Sequence, residues 1–198
     1  TALVSLAFVA TNILPVMTAS ATVGGLAGYW RMDENDLKNG VMRNASKNNN
    51  HGTVTGVTLT AGKIKEGAYF KGGTFGASYV KVSDPADSSL DMGTGNFSIS
   101  LWIKTSDDLG MLVDKRGAGQ KGYSLMVYQG VLYGQIADGT TWKMPKLSEV
   151  NLNDNKWHHL AVVFKRDEKI TGYVDGVKAE LADFYQQDAA ISNVGNID

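Results

Sequence analysis

The stretch Phe97–Lys104 reads FSISLWIK and decides the fold class. Its apolar side chains fall at every second position from Phe97 to Ile103, with Ser98 and Ser100 between them. A period of two is the repeat of a β-strand, in which successive side chains point to opposite faces. The stretch therefore predicts a strand that covers a hydrophobic core with one face.

Short segments with the same period continue along the chain from Leu26, separated by clusters of Gly, Asn and Asp. No long run shows the 3.6-residue period of an amphipathic helix. The pairs Gln129-Gly130 and Asp175-Gly176 predict two hairpins, because a two-residue type I′ turn needs positive φ at both positions. The flanking strands are 123–128 and 131–136 for the first hairpin, and 170–174 and 177–181 for the second.

The stretch 157–164 reads WHHLAVVF and is apolar almost throughout, which predicts a central strand covered on both faces. Strands that follow one another at short intervals, joined by polar loops, are typical of an antiparallel two-sheet sandwich of the jelly-roll type. The fold class predicted from the pattern is therefore all-β.

Composition excludes several classes of function. The 198 residues include 19 Lys and Arg against 20 Asp and Glu, a net charge of -1, so there is no cationic field for nucleic acid. The absence of cysteine excludes a disulfide scaffold, a Cys-ligated zinc site and a cysteine nucleophile. The length is that of one domain with a core of its own.

The N-terminal residues have the pattern of an export signal. No charged residue precedes Arg31, and residues 2–16 are mostly apolar. The pair Ala19-x-Ala21 has the small side chains of a signal-peptidase site, which predicts cleavage after Ala21. We therefore predict a signal peptide at 1–21 that lacks its basic start, a short linker at 22–27, and one domain at 28–198. The alternatives are a buried helix or a slightly short membrane anchor.

Seven segments in a fixed order resemble the laminin-G-like group of the concanavalin A-like lectin/glucanase superfamily, in the form found in secreted bacterial proteins. Each segment is short, and the order of all seven carries the resemblance. They are 28–34 (GYWRMDE), 44–53 (NASKNNNHGT), 67–72 (GAYFKG), 79–82 (YVKV), 97–103 (FSISLWI), 157–161 (WHHLA) and 173–176 (YVDG).

The resemblance implies a jelly roll of two antiparallel sheets with a concave face and variable loops at its rim. It also implies two closing strands, one of the Pro-Leu-x-Ile-Gly kind and one of the Ile-Asp-Glu-Val-Arg-Ile-Tyr kind, which we expect to be absent here. Alternatively, Ile197-Asp198 are the first residues of the second motif. With these strands absent, an open edge is expected beside residues 29–32.

Catalysis is not expected on this chain. The laminarinase-type hydrolases of the superfamily carry two glutamates and an aspartate at alternate positions of one strand, and this sequence has no such spacing. Asp33 and Glu34 are adjacent and point to opposite faces of a strand end. His158 and His159 also point to opposite faces, and we interpret them as core histidines that pack around Trp157.

A structural calcium ion is the predicted cofactor. Asn44-x-Ser46-x-Asn48-x-Asn50 offers side-chain oxygens at alternate positions, which suits a hard cation. The resemblance points to the same region, with Asp33 and Asn44 as direct ligands and backbone carbonyls near Gly52. Asn44 stands where relatives commonly have Asp, which weakens binding. The alternative is an Asn-rich turn satisfied by its own hydrogen bonds.

Sugar recognition usually stacks an aromatic ring on a pyranose and adds hydrogen bonds to hydroxyls. Trp142 is the first candidate because it lies in a polar loop, DGTTWK. The further candidates are Tyr128, Tyr133 and Tyr185. Trp30, Trp102 and Trp157 belong to strand segments and are expected in the core.

These observations predict a secreted or cell-surface, non-catalytic module that binds a glycan or an extracellular protein. We expect it to be tethered to further domains of a surface protein or polysaccharide-degrading enzyme, with no membrane insertion after signal cleavage. One alternative is a structural or adhesion spacer that binds a protein partner. Another is a fragment of an enzyme whose active site lies elsewhere, because fold alone does not determine function.

Overall fold

Nearly all of the regular secondary structure in the described part of the chain is β-strand. The computed structural model describes residues 2–9, 25–72, 77–179, 191 and 194–197. A turn of 3₁₀ helix lies at Ala118–Gln120. The strands are β1 Ala2–Val9, β2 Gly28–Trp30, β3 Leu37–Lys38, β4 Val41–Met42, β5 Gly52–Thr55, β6 Val57–Ala61, β7 Glu66–Phe70, β8 Tyr79–Val82, β9 Phe97–Lys104, β10 Leu109–Arg116, β11 Gly122–Tyr128, β12 Val131–Ala137, β13 Trp142–Lys143, β14 Trp157–Phe164, β15 Ile170–Val174 and β16 Val177–Lys178.

The largest sheet has eight strands, in the order β16-β15-β14-β9-β1-β7-β6, with β2 paired to β1. Its pairings are antiparallel. This agrees with the all-β fold class and the antiparallel sheets predicted from the sequence.

Strands β9 and β14 form the centre of this sheet. They pair along their whole length, from Phe97 opposite Phe164 to Lys104 opposite Trp157. In β9 the buried positions alternate with half-buried ones, as its period of two predicts. Strand β14 shows the same alternation, so the prediction that it is covered on both faces was wrong. The apolar residues on its other face, Trp157, Ala161 and Val163, are half-buried.

Strand β1 lies between β9 and β7. Residues 3–9 pair with β9, residues 2–4 with β7 and residues 6–8 with β2. The edge of β2 that was expected to be open is therefore paired along 28–30, because the apolar segment 2–9 supplies the missing backbone donors and acceptors. The predicted cleavage site at Ala21 falls outside the described residues, and the division into leader, linker and domain stays a prediction.

The remaining strands form two separate four-stranded sheets, β10-β11-β12-β13 and β3-β4-β5-β8. The hairpin between β11 and β12 has the predicted turn, with φ of 51° at Gln129 and 74° at Gly130. The hairpin between β15 and β16 does too, with φ of 52° at Asp175 and 80° at Gly176.

One hydrophobic cluster joins the eight-stranded sheet to both smaller sheets. The ring of Phe97 in β9 lies 5.0 Å from that of Tyr123 in β11, centroid to centroid. Buried residues from β2, β4, β12 and β14 belong to the same cluster, including Trp30, Met42 and Leu132. The three sheets therefore share one core, as a sandwich requires. Among the described residues, no helix has the length and apolar character needed to cross a bilayer.

The position of β1 makes a testable prediction. Replacing Leu6 by Pro removes an N–H from a strand with neighbours on both sides, which leaves a backbone carbonyl of β9 or β2 without its donor. We expect Leu6→Pro to lower the free energy of unfolding of the intact chain by about 1 to 3 kcal/mol in urea titrations. Leu6→Val, which keeps the N–H, is the matched control.

The mass of each purified protein is measured first, so that residues 2–9 are known to be present. Equal urea midpoints for Leu6→Pro and Leu6→Val in the intact chain would contradict the pairing of β1.

Candidate functional site

The outer face of the sheet β10-β11-β12-β13 carries most of the predicted ligand-binding residues. Along β11 the side chains of Tyr123, Leu125 and Val127 enter the core. Because strand side chains alternate, Ser124 and Tyr128 lie on the opposite, outer face. This outer face is the candidate site.

The register between neighbouring strands aligns its residues in rows. Ser124 of β11 is paired with Asp114 of β10 on one side and with Gln135 of β12 on the other, which makes a polar row. An aromatic pair lies further along the same face, where the rings of Tyr128 and Tyr133 meet edge to face with centroids 5.5 Å apart. The outer face therefore combines directional polar groups with aromatic surface.

Arg116 holds the polar row in place. Its Nε and Nη2 donate to the two carboxylate oxygens of Asp114, each at 2.6 Å. Its Nη1 donates to Oε1 of Gln135 at 3.0 Å and to Oε1 of Gln120 at 2.8 Å. The hydrogen bond with Asp114 raises the pKa of Arg116 above its ordinary value. These four bonds fix the orientation of the side chains that Arg116 contacts.

Two buried polar atoms of the row have no hydrogen-bond partner among the described residues. They are Oγ of Ser124 and Nε2 of Gln135. The two residues are 0% and 2% exposed. Buried polar groups in proteins are rarely left unpaired, so such atoms mark a place where a further partner is expected.

Trp142 lies in the edge strand β13, where it is paired with Ala137, and its exposed fraction is 55%. The turn before it is held by Asp138. Oδ1 of Asp138 accepts hydrogen bonds from the N–H groups of Thr140 and Thr141 at 2.8 and 2.6 Å. Oδ2 accepts the N–H of Gly195 at 2.6 Å. The ring of Trp142 is thus exposed to solvent, and it follows a turn that these hydrogen bonds hold in place.

The structure therefore brings Tyr128 and Tyr133 into contact and places Trp142 on the same sheet. Tyr185, the fourth predicted ligand residue, lies outside the described residues. The sequence reading missed the polar row of Asp114, Ser124 and Gln135. The signal for Ser124 and Gln135 was that each is polar in an otherwise apolar or aromatic stretch, at 123–128 and 131–136.

In the predicted calcium region, the oxygen of Asn44 is already in use. Asn44 Oδ1 accepts the N–H of Tyr29 at 2.8 Å and the N–H of Ser46 at 2.9 Å, and its Nδ2 donates to the carbonyl of Asn48 at 2.9 Å. Gly52 is part of strand β5 and pairs with β4 and β8. The loop is thus held by its own hydrogen bonds, as the alternative reading of an Asn-rich turn expects.

Asp33 is buried, and its carboxylate also accepts hydrogen bonds from backbone N–H groups. Its Oδ1 accepts the N–H groups of Asn35 and Asp36 at 3.0 and 3.3 Å. The carboxylate of Asp36 in turn accepts hydrogen bonds from the guanidinium of Arg31, whose Nη2 lies 2.5 Å from Asp36 Oδ1. Within the ranges that the structure describes, no three His, Cys, Asp or Glu side chains are grouped so as to hold a metal ion. A calcium ion at Asp33, Asn44 and Gly52 stays a prediction.

Comparisons with known proteins bear on the fold. A laminin-G family model, described as concanavalin A-like lectin/glucanases superfamily, matches residues 71–195. The chain belongs to this superfamily. No curated protein matches it significantly.

Two solved structures are similar to this laminin-G-like chain. The binding domain of Paraclostridial Mosquitocidal Protein 1 has a TM-score of 0.63 and 18% identity over 82% of this chain. Domains LG4-5 of the mouse laminin alpha1 chain have a TM-score of 0.43 and 18% identity over 52% of this chain. This chain covers 41% of the first structure and 26% of the second. At this identity the first likeness shows a shared fold.

The two histidines of β14 in this laminin-G-like domain lie on opposite faces of the strand, as predicted. His158 is 8% exposed, and its Nδ1 and Nε2 lie 2.8 Å from Asp175 Oδ2 and 3.1 Å from Asp154 Oδ1. Burial acts to raise the pKa of Asp175, but hydrogen bonds from the backbone of His159 and the ring of His158 lower it below its ordinary value. His158 therefore ties the turn at Asp175 to the loop before β14.

His159 is half-buried on the other face of the sheet, so the prediction that it is a core histidine was wrong for this residue. Its Nε2 lies 2.8 Å from Oγ of Ser100, and its ring packs against Trp102 with centroids 5.1 Å apart. No carboxylate contacts this ring within the described residues, so the serine–histidine pair lacks the third member of a catalytic triad there.

A first prediction concerns Asp138. Hydrogen bonds from the backbone of Thr141, then of Gly195 and Thr140, hold the pKa of Asp138 well below its ordinary value. A carboxyl group with a lowered folded-state pKa stabilises the fold above its unfolded pKa of 3.8. That stabilisation is lost as the pH falls from there toward the folded-state pKa.

We therefore expect Asp138→Asn to lower the melting temperature at neutral pH, and the difference from the natural chain to shrink as the pH falls from about 4 to about 2. Melts followed by circular dichroism measure it. Asp167→Asn, at an exposed aspartate, is the control and leaves the melting temperature nearly unchanged. A difference that stays constant across this pH range would contradict the assigned role.

A second prediction concerns Asn44. Asn44→Ala leaves the N–H groups of Tyr29 and Ser46 without their acceptor. We expect a loss of about 1 to 3 kcal/mol in the free energy of unfolding, measured in urea with chelator present. Asn49→Ala, in the same loop but exposed, is the matched control. Equal stability of the two variants would contradict this role of Asn44.

The same titrations repeated with calcium test the predicted ion. If calcium binds at Asn44, it raises the stability of the natural chain and of Asn49→Ala but not that of Asn44→Ala, because a ligand that binds only the folded state stabilises it.

Proposed function

We propose that this domain is a non-catalytic binding module that recognises a glycan on the outer face of the sheet β10-β11-β12-β13. The observation that carries the proposal is the combination, on one sheet, of a fixed polar row and exposed aromatic rings. Asp114, Arg116 and Gln135 form the hydrogen-bonded part. Tyr128 and Trp142 are 38% and 55% exposed.

The chemistry of this face suits a pyranose. An aromatic ring stacks on the apolar face of a sugar, while the hydroxyls at its edge need donors and acceptors of fixed direction. Asp114 supplies an acceptor that Arg116 holds in place. Gln135 and Ser124 are buried, so the polar groups that a sugar can reach are those of Asp114 and Arg116.

A non-catalytic role is supported by how the acidic and basic residues are used. Asp33 and Asp36 bind backbone N–H groups and Arg31, and His158 bridges two carboxylates. These contacts hold turns and strand ends. On the outer face, the carboxylate of the polar row, Asp114, is paired with Arg116.

The setting we propose is extracellular or at the cell surface, with this domain tethered to others. Laminin-G-like domains are typically extracellular, and the mosquitocidal-protein binding domain that shares this fold is longer than this chain. The relative with the higher TM-score is itself named a binding domain. That the ligand is a glycan and that the domain belongs to a larger protein are both proposed here.

The experiment is a glycan array probed with the intact chain, followed by titration of each hit with variants. We expect Trp142→Ala and Asp114→Ala each to weaken binding by about tenfold, or 1.4 kcal/mol. The control is Val177→Ala, at an exposed apolar residue of the eight-stranded sheet, which leaves binding unchanged.

Absence of any hit would overturn the glycan proposal. A protein partner that is retained by Trp142→Ala in a pull-down would instead favour the adhesion or spacer alternative. Circular dichroism of each variant shows that it is folded before it is tested.

A further inference from the structure

We propose that a cleft between β8 and β10 binds an extended peptide that adds as a strand between the two smaller sheets. The cleft meets the outer face described above at Asp114 and Arg116, which line it, and otherwise has different residues. The cleft has a volume of about 830 Å³, within the usual range of ligand sites. Its two long sides are formed by residues 78–85 and 111–118. These are the strands β8 and β10 and the residues that follow them.

The backbones of both sides are available for pairing. Among the described residues, β8 pairs with β5 alone and β10 with β11 alone, so each is the edge strand of its sheet. An edge strand presents a row of unpaired N–H and C=O groups, which is a template for another strand. Here two such edges border the same cleft, and a segment lying between them is offered hydrogen bonds from both sides.

The floor of the cleft determines one face of the peptide. It includes core residues whose side chains are buried, among them Trp30, Leu90 and Tyr123. An inserted strand directs every second side chain toward this floor. The peptide is therefore apolar at alternate positions, over the four residues that β8 offers and about one residue at each end.

The charges at the rim of the cleft determine which side chains the peptide carries on its outward face. The cleft is lined by four cationic side chains, Lys81, Lys115, Arg116 and Lys121, and by the carboxylates of Asp84 and Asp114. Lys115 pairs with Asp84 at 3.4 Å, and Arg116 with Asp114 at 2.6 Å. Within the described ranges this leaves Lys81 and Lys121 without an ion pair. Acidic side chains on the outward face of the peptide complement them.

The geometry favours a peptide over a second folded copy. A second copy would present the edge of an intact sheet, whose neighbouring strands cannot enter a cleft bordered on both sides. A single extended segment meets no such obstacle, and both of its edges find partners.

The test uses the intact chain and a fluorescein-labelled peptide of about eight residues in which valine alternates with glutamate. Fluorescence anisotropy measures the Kd. We expect saturable binding, and an increase in Kd of about tenfold for the double variant Lys81→Glu and Lys121→Glu. Lys178→Glu, at an exposed lysine of β16, is the control and changes the Kd by less than about twofold.

Two further peptides test the mode of binding. Methylation of alternate backbone nitrogens removes donors while keeping the side chains, and we expect it to abolish binding. Lysine in place of glutamate is expected to weaken binding to the natural chain and to restore it in the double variant. Hydrogen exchange is expected to slow at residues 79–82 and 109–116 when the peptide is bound.

No binding at about 1 mM peptide, or binding unchanged by backbone methylation, would overturn the proposal. So would slow exchange at both edges before peptide is added, which would mean that another segment of the chain or a second copy already occupies the cleft. Sedimentation at several concentrations separates these two occupants. Trp142→Ala is expected to leave peptide binding unchanged, so failure of the glycan proposal does not affect this one.

Discussion

The pairing of β9 with β14 is the constraint on which the rest of the structure depends. Phe97 lies opposite Phe164 at one end of the pair, and their rings stack with centroids 4.2 Å apart and planes inclined by 8°. A slip of one residue would turn the buried side of β9 toward solvent. This register fixes where β15 and β1 attach, and it sets Phe97 against Tyr123 of the neighbouring sheet. The outer face that carries the candidate site is then the far side of that sheet.

The sequence was informative where structure depends on neighbours along the chain. The period of two in Phe97–Lys104 and the turns Gln129-Gly130 and Asp175-Gly176 are local properties, and the structure has all of them. The location of segment 2–9 is a non-local property. Its apolar composition predicts a leader, and its pairing with three other strands depends on residues far along the chain, so no local pattern could show that pairing.

The candidate site shows the same division. Tyr128, Tyr133 and Trp142 were identified because aromatic residues in polar surroundings are visible in a sequence. The polar row was missed because it depends on a β-bulge between Met111 and Val113. If the same residues of β10 paired without the bulge, Asp114 would lie opposite Tyr123 instead of Ser124, and its carboxylate would face the core. No local pattern reveals a shift of this kind, since it exists only relative to β11.

The segment 194–197 fastens the sandwich at its end. The guanidinium of Arg166, which follows β14 of the large sheet, donates to the carbonyl of Val194 at 2.8 Å. Asp138, which follows β12 of a smaller sheet, accepts the N–H of Gly195 at 2.6 Å. A load applied to this segment is therefore divided between the large sheet, through Arg166, and a smaller sheet, through the turn that precedes Trp142.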